Sequence, residues 1–142
     1  MQDKHLYEYA VIRVLPKVER EEFLNVGIIL FSKSAQYINV RFSINEQKLL
    51  MLSDELDIEQ LQQNLESFQK IALGDKNGGP IAQLDIPSRF RWLTAVRSSV
   101  IQTSRPHPGF CANLDRTIER LFTELVLYCL LYTSPSPRDL ST

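Results

Sequence analysis

Residues 23–31 read Phe23-Leu24-Asn25-Val26-Gly27-Ile28-Ile29-Leu30-Phe31, and the placement of this run decides the fold. Period two puts Leu24, Val26, Ile28 and Leu30 on one side. Phe23, Asn25, Gly27, Ile29 and Phe31 take the other. One side is wholly apolar and the other nearly so, which suits a strand in mid-sheet with both faces at least partly covered. A buried helical turn is the competing reading. The β-branched and aromatic content, with an internal glycine, favours the strand. Gly27 marks a bulge or a close backbone approach.

Outward from this run, Tyr7 to Leu15 reads as a first strand. Ala10, Ile12 and Val14 share one face. Tyr7, Tyr9, Val11 and Leu15 share the other with Arg13. Pro16 ends the strand, because it lacks the N–H a ladder needs. The charged loop from Lys17 to Glu22 leads straight into the Phe23 run, so the two strands should pair antiparallel. A polar turn, Ser32 to Gln36, precedes Tyr37 to Ser43, where Ile38, Val40 and Phe42 alternate inward. Three strands with short connections make an antiparallel meander.

Ser43 with Glu46 has capping-box spacing and predicts a helix carrying Leu49, Leu50 and Leu52. Asp57 with Gln60 repeats the signal. The next helix has an apolar stripe of Ile58, Leu61, Leu65, Phe68 and Ile71 or Ala72, ended by Gly74. Asp75 to Pro87 reads as loop. Ser88 is expected to cap a short helix, Arg89 to Ala95, with Phe90, Leu93 and Trp92 inward. Val96 to Thr103 reads as a fourth strand, and Arg105 to Gly109 as an extended or turning segment forced by Pro106 and Pro108. Asn113 or Asp115 caps a last helix with the stripe Ile118, Leu121, Phe122 and Leu125. The predicted class is α+β: an antiparallel sheet of about four strands with helices packed mainly on one face. The fourth strand could join the meander's edge or pair with the first strand.

Composition is ordinary for one globular domain: 142 residues, 44% hydrophobic, 23% charged, net charge −1. Near-neutral charge gives no global reason to expect nucleic acid or a membrane surface. The N-terminus has no apolar signal-like core, and Leu125 to Tyr132 is too short to span a bilayer. Cys111 and Cys129 imply no disulfide framework, so a cytoplasmic protein with free thiols is expected. Cys129 to Asp139, C-L-L-Y-T-S-P-S-P-R-D, resembles a translated sequencing-library adaptor. The expected division is therefore a single domain over 1–128 and a tail over 129–142 that lies outside the fold. A natural flexible tail is the alternative. No P-loop, dinucleotide fingerprint or metal-ligand spacing is present, so no cofactor is expected.

The most informative functional feature is a charge asymmetry. Between Asp85 and Asp115 no acidic residue occurs, while Arg89, Arg91, Arg97, Arg105 and His107 do. Glu46 to Glu66 holds six acids and one lysine. Guanidinium forks and short hydroxyls without carboxylates suit an anion, since both donate to phosphate oxygens. The candidate ligand-binding residues are Arg97, Ser99, Gln102, Arg105 and His107, with Asn25 from the sheet. His107 is the candidate for proton transfer, though no partner for it is identifiable. The bland alternative is that these arginines pair with the acidic helices. Trp92 either stacks on a ligand or packs in the core. Cys111 reads as a small buried hydrophobe before a nucleophile.

Three stretches together resemble a known family. They are Y-E-Y-A-V-I-R-V with E-E-F-L-N-V-G-I-I-L-F, then F-R-W-L-T-A-V-R-S-S-V-I-Q-T, then H-P-G. In this order they resemble the bacterial DUF3037 domain over roughly Tyr7 to Val126. The resemblance implies no established activity. It does imply a partner, because members are often encoded beside HipA-like kinases. Two readings follow. The first is a non-catalytic binding or adaptor module acting with a partner protein such as a HipA-like kinase. The alternative is a small protein or enzyme that handles phosphate esters or nucleic acid through an Arg/Ser/His anion site.

Overall fold

In the computed structural model, which describes residues 4–16, 22–95 and 100–128, the Phe23 run becomes strand β2 (Leu24–Ser32). It lies between β1 (His5–Val14) and β3 (Tyr37–Phe42), antiparallel to both. The free edge of β1 takes two short strands in succession. Strand β4 (Ile101–Thr103) pairs with the end of β1, and β5 (His107–Cys111) pairs with its beginning. The open antiparallel sheet therefore has five strands. The fourth strand joins the first strand and not the meander's edge. Val96 to Ser99, the start of the expected fourth strand, and the tail over 129–142 lie outside the described residues.

Strand β5 falls where the two prolines predict an extended or turning segment. An edge strand tolerates proline, because only one side of it must supply N–H groups. Pro108 stands opposite Glu8, and no further strand flanks β5 on its outer side among the described residues. Between β4 and β5 the ladder is interrupted, and Ser104 closes the gap. Its N–H donates to Val11 O at 2.8 Å. Its hydroxyl accepts from Val11 N at 2.9 Å and donates to Arg105 O at 3.0 Å. A buried serine thus supplies the acceptor that a continuous strand's backbone would have supplied.

Gly27 marks both features expected of it. Ile12 faces Gly27 and Arg13 faces Asn25, so Val26 is an extra residue and β2 is bulged there. A Cβ on Gly27 would sit 2.6 Å from Arg41 O on β3. The bulge also corrects the strict alternation. Val26, Ile29 and Phe31 belong to one core, with Leu24 packed against it. Ile28 and Leu30 belong to the other. One inserted residue reverses the phase of the strand.

Three helices, α1 (Glu46–Leu52), α2 (Ile58–Leu73) and α3 (Ile86–Leu93), cover the face of Ala10, Ile12, Val14 and Ile29. Helix α4 (Leu114–Phe122) continues into a π-helical turn (Thr123–Leu127) and covers the opposite face, against Tyr7, Val11, Ile28 and Leu30. The α+β class stands, with the helices divided three to one. Asp57 caps α2 and Gly74 ends it at φ 71°, as the sequence predicts. Two other starts move. Asn45, not Ser43, caps α1 by accepting from Lys48 N at 3.0 Å. Asp85, not Ser88, caps α3, so that helix begins inside the expected loop. Pro87 sits in the first turn of α3, where a missing N–H costs nothing. Trp92 is 39% exposed and does not point into the core with Phe90 and Leu93.

Two consequences are measurable. Ser104→Ala leaves Val11 N without its acceptor and should cost about 1–3 kcal/mol of stability in urea denaturation. Tyr37 donates to Asp115 Oδ1 at 2.8 Å and ties β3 to α4. Burial first, and then Asp115, push its hydroxyl up to about 12, while Asn39 opposes them. The folded value is raised, so this contribution is whole below the unfolded pKa of about 10 and is lost as pH climbs toward the folded value. Tyr37→Phe should flatten that alkaline loss of stability, read as urea midpoints across the same pH range.

Candidate functional site

Four of the six predicted site residues are described, and these four fall in two places. Arg97 and Ser99 lie outside the described residues. Arg105 and His107 are exposed where β4 gives way to β5. The His107 ring lies 5.3 Å from that of Tyr9, its partner across the ladder. Gln102 and Asn25 come together elsewhere. Gln102 faces Arg13 from β4, and Asn25 faces the same Arg13 from β2. Directly paired residues of adjacent strands project on the same face, so Asn25, Arg13 and Gln102 form a row across three strands. Arg13 is four residues along β1 from Tyr9, about 13 Å at strand rise. The His107 end and the Arg13 row are therefore separate places.

The row exists because of the bulge. Without the extra Val26, Asn25 would share a face with Ile29 and lie under α2 and α3. Instead its Nδ2 donates to Leu125 O at 2.9 Å, in the π-helical turn on the opposite face. Arg13 at the centre is half-buried. Its Nε is buried and meets no hydrogen-bond partner among the described residues. The guanidinium carbon stands 4.4 Å from the centre of the Phe23 ring. Burial lowers the Arg13 pKa from its ordinary value, and no carboxylate among the described residues opposes that shift. Alternation along β1 puts Arg13 on this face, but nothing in the linear sequence singles it out, because its two amide neighbours are set by strand register alone.

The remaining arginines of the acid-free segment have local work. Arg89 donates from Nε to Ala72 O at 3.2 Å and from Nη1 to Leu84 O at 2.7 Å. It clasps the C-terminal end of α2, where a cation meets the negative end of the helix dipole. Arg91 donates to Ser88 Oγ at 3.3 Å. Neither pairs with the acids of α1 and α2. The ion pairs among the described residues are Arg41 with Glu119 and Arg120 with Glu124.

A pair of exposed apolar side chains lies at β5. Leu6 and Phe110 are cross-strand partners, 51% and 68% exposed. Beside them opens a cleft of about 590 Å³ floored by Leu6, Phe31 and Pro108, with Lys33 and Gln36 on its rim. A second cleft of about 510 Å³ lies between α2, α3 and β4 and is walled by Phe68, Ile71, Trp92 and Ile101. Cys111 is a free, partly buried thiol packed against the α4 core. No group of three or more His, Cys, Asp or Glu among the described residues could hold a metal ion. Nor is any helix among them long and apolar enough to cross a membrane.

Comparison with known proteins gives one match. Residues 9–126 match the family described as "Protein of unknown function (DUF3037)". No curated protein and no solved structure matches the chain.

Arg89 belongs to the acid-free segment, yet its hydrogen bonds tie it to the end of α2. Arg89→Ala should lower stability by about 1–3 kcal/mol in urea denaturation, as loss of charged hydrogen bonds does. The measured binding of any anion should be unchanged.

Proposed function

We propose that this chain, which belongs to the DUF3037 family, is a non-catalytic binding module that acts with a partner protein. The observation that carries the reading is the Leu6–Phe110 pair, two large apolar side chains side by side in water at the open end of the sheet. Contiguous exposed apolar surface of this kind marks interaction sites, whereas scattered single residues do not. Full burial of such side chains contributes about 1.5–3 kcal/mol each before the cost of association. The adjoining cleft offers a pocket for an apolar anchor from the partner, and Lys33 and Gln36 supply a polar rim.

The mode of docking follows from how the sheet edges are finished. On β3, Val40 N donates to Asn39 Oδ1 at 2.8 Å and Val40 O accepts from Gln69 Nε2 at 3.1 Å. On β5, Pro108 removes an N–H from the strand. Edges treated in this way resist the addition of another strand. A partner would therefore meet side chains rather than extend the sheet. The partner class comes from the family resemblance, which points to a HipA-like kinase encoded beside the gene. The setting is the bacterial cytoplasm.

The test is titration calorimetry of the full chain against the purified HipA-like kinase encoded next to it. Leu6→Asp with Phe110→Asp should weaken binding at least about tenfold, since two apolar anchors are lost. Unchanged affinity in the double variant removes the Leu6–Phe110 reading, and no binding by the native chain removes the kinase as partner. Titration with short oligonucleotides separates the phosphate reading. Saturable, salt-sensitive binding there that is lost in Arg105→Ala with His107→Ala would favour an anion site on this edge.

A further inference from the structure

We propose that Arg13, flanked by Asn25 and Gln102, is a recognition site for a carboxylate group. The inference is independent of the partner surface. Arg13 is seven residues along β1 from Leu6, about 23 Å at strand rise.

Four observations converge on it. The guanidinium is half-buried, yet no carboxylate among the described residues pairs with it. A charge drawn out of water without a counter-ion costs stability, and structures normally supply one. Its Nε is a buried donor with no acceptor among the described residues. A ring lies over the guanidinium, with Phe23 4.4 Å from its centre. That stacking leaves the planar edge of the fork as the route for an acceptor. Finally, register sets carboxamide side chains on both neighbouring strands, Asn25 and Gln102. Asn25 is held there through Leu125 O.

The charge of the set chooses the ligand. One guanidinium and two neutral amides carry a single positive charge. A carboxylate is planar, monoanionic and matches the fork with two parallel N–H···O bonds. A phosphate dianion would bring a second negative charge into a partly desolvated place where the described residues show no second cation at Arg13. The carboxylate could come from a small acid or from an acidic side chain of a protein, and the chemistry at Arg13 is the same.

The experiment uses the full chain and the side-chain Nε–H signal of Arg13 in ¹⁵N NMR, assigned from its absence in Arg13→Lys. Acetate and succinate are titrated at constant ionic strength, with inorganic phosphate and chloride in parallel. A peptide carrying one glutamate is compared with its glutamine version, to separate a small acid from a protein side chain. The expected result is a saturable shift with acetate or the glutamate peptide, weaker with phosphate and absent with chloride. Arg13→Gln should weaken that binding by more than about tenfold, followed by backbone amide shifts of β1 and β2. Asn25→Ala should weaken it less. Thermal unfolding gives a second readout that does not depend on the signal. Without ligand, Arg13→Gln should unfold at the same or a higher temperature, because it removes an uncompensated charge. Identical shifts with acetate and chloride, or acetate binding retained in Arg13→Gln, would overturn the proposal. A clear loss of stability in folded Arg13→Gln without ligand would also count against it, since that is the mark of a structural arginine.

Discussion

The steric contact at Gly27 governs the rest of this structure. The backbone of β2 passes so close to Arg41 O that any side chain at Gly27 would collide with it. The same spot holds the extra residue of the bulge, where Ile12 faces Gly27 and Arg13 faces Asn25. Those facts together divide β2 into two halves of opposite phase. The half toward Ser32 sends Ile28 and Leu30 to α4 and Ile29 and Phe31 to the three-helix layer. The half toward Leu24 sends Val26 to the three-helix layer and releases Asn25 to the other side. A regular strand would have put a polar amide under α2 and α3 and an apolar valine beneath the π-helical turn. The bulge removes both mismatches in one step.

A second constraint acts along β1. This strand is paired on both edges for most of its length, and its second edge is assembled from two short strands. Neither β4 nor β5 has the length or composition of an independent strand. They are held because Ser104 bonds Val11 through both its backbone and its hydroxyl, so the ladder continues across the break. The consequence reaches the surface. With β5 fixed beside β1, Phe110 stands next to Leu6, and the apolar pair that carries the partner reading comes into being.

What the sequence reveals and what it hides divides along physical lines. The Phe23 run, the first and third strands, the α2 stripe, its Asp57 cap and the Gly74 stop are all legible, because each is a local pattern with a local cause. The caps of α1 and α3 are displaced because several short polar residues stand near each start. Only the backbone path decides that Asn45 and Asp85 accept the bonds. Strand β5 is hidden because proline reads as a breaker, and its tolerance depends on an edge position that the linear chain does not mark. Asn25 and Gln102 are visible as polar residues on strands. Their meeting at Arg13 is a matter of register between segments far apart in sequence.

Arginine density and desolvation are different guides to where an anion would bind, and in this fold they point to different places. The acid-free segment holds four arginines and a histidine. In the fold, Arg89 closes the end of α2, Arg91 rests on Ser88, and Arg105 faces water. A guanidinium already bonded to carbonyls has little left to offer, and one in open water gains little from a single anion. Arg13 belongs to no cluster and lies far from that segment. It is instead held partly out of water, stacked on Phe23, with a buried donor that nothing among the described residues satisfies. The unmet bond and the unmet charge make the free energy of that site sensitive to an anion. The count of positive charges nearby does not enter.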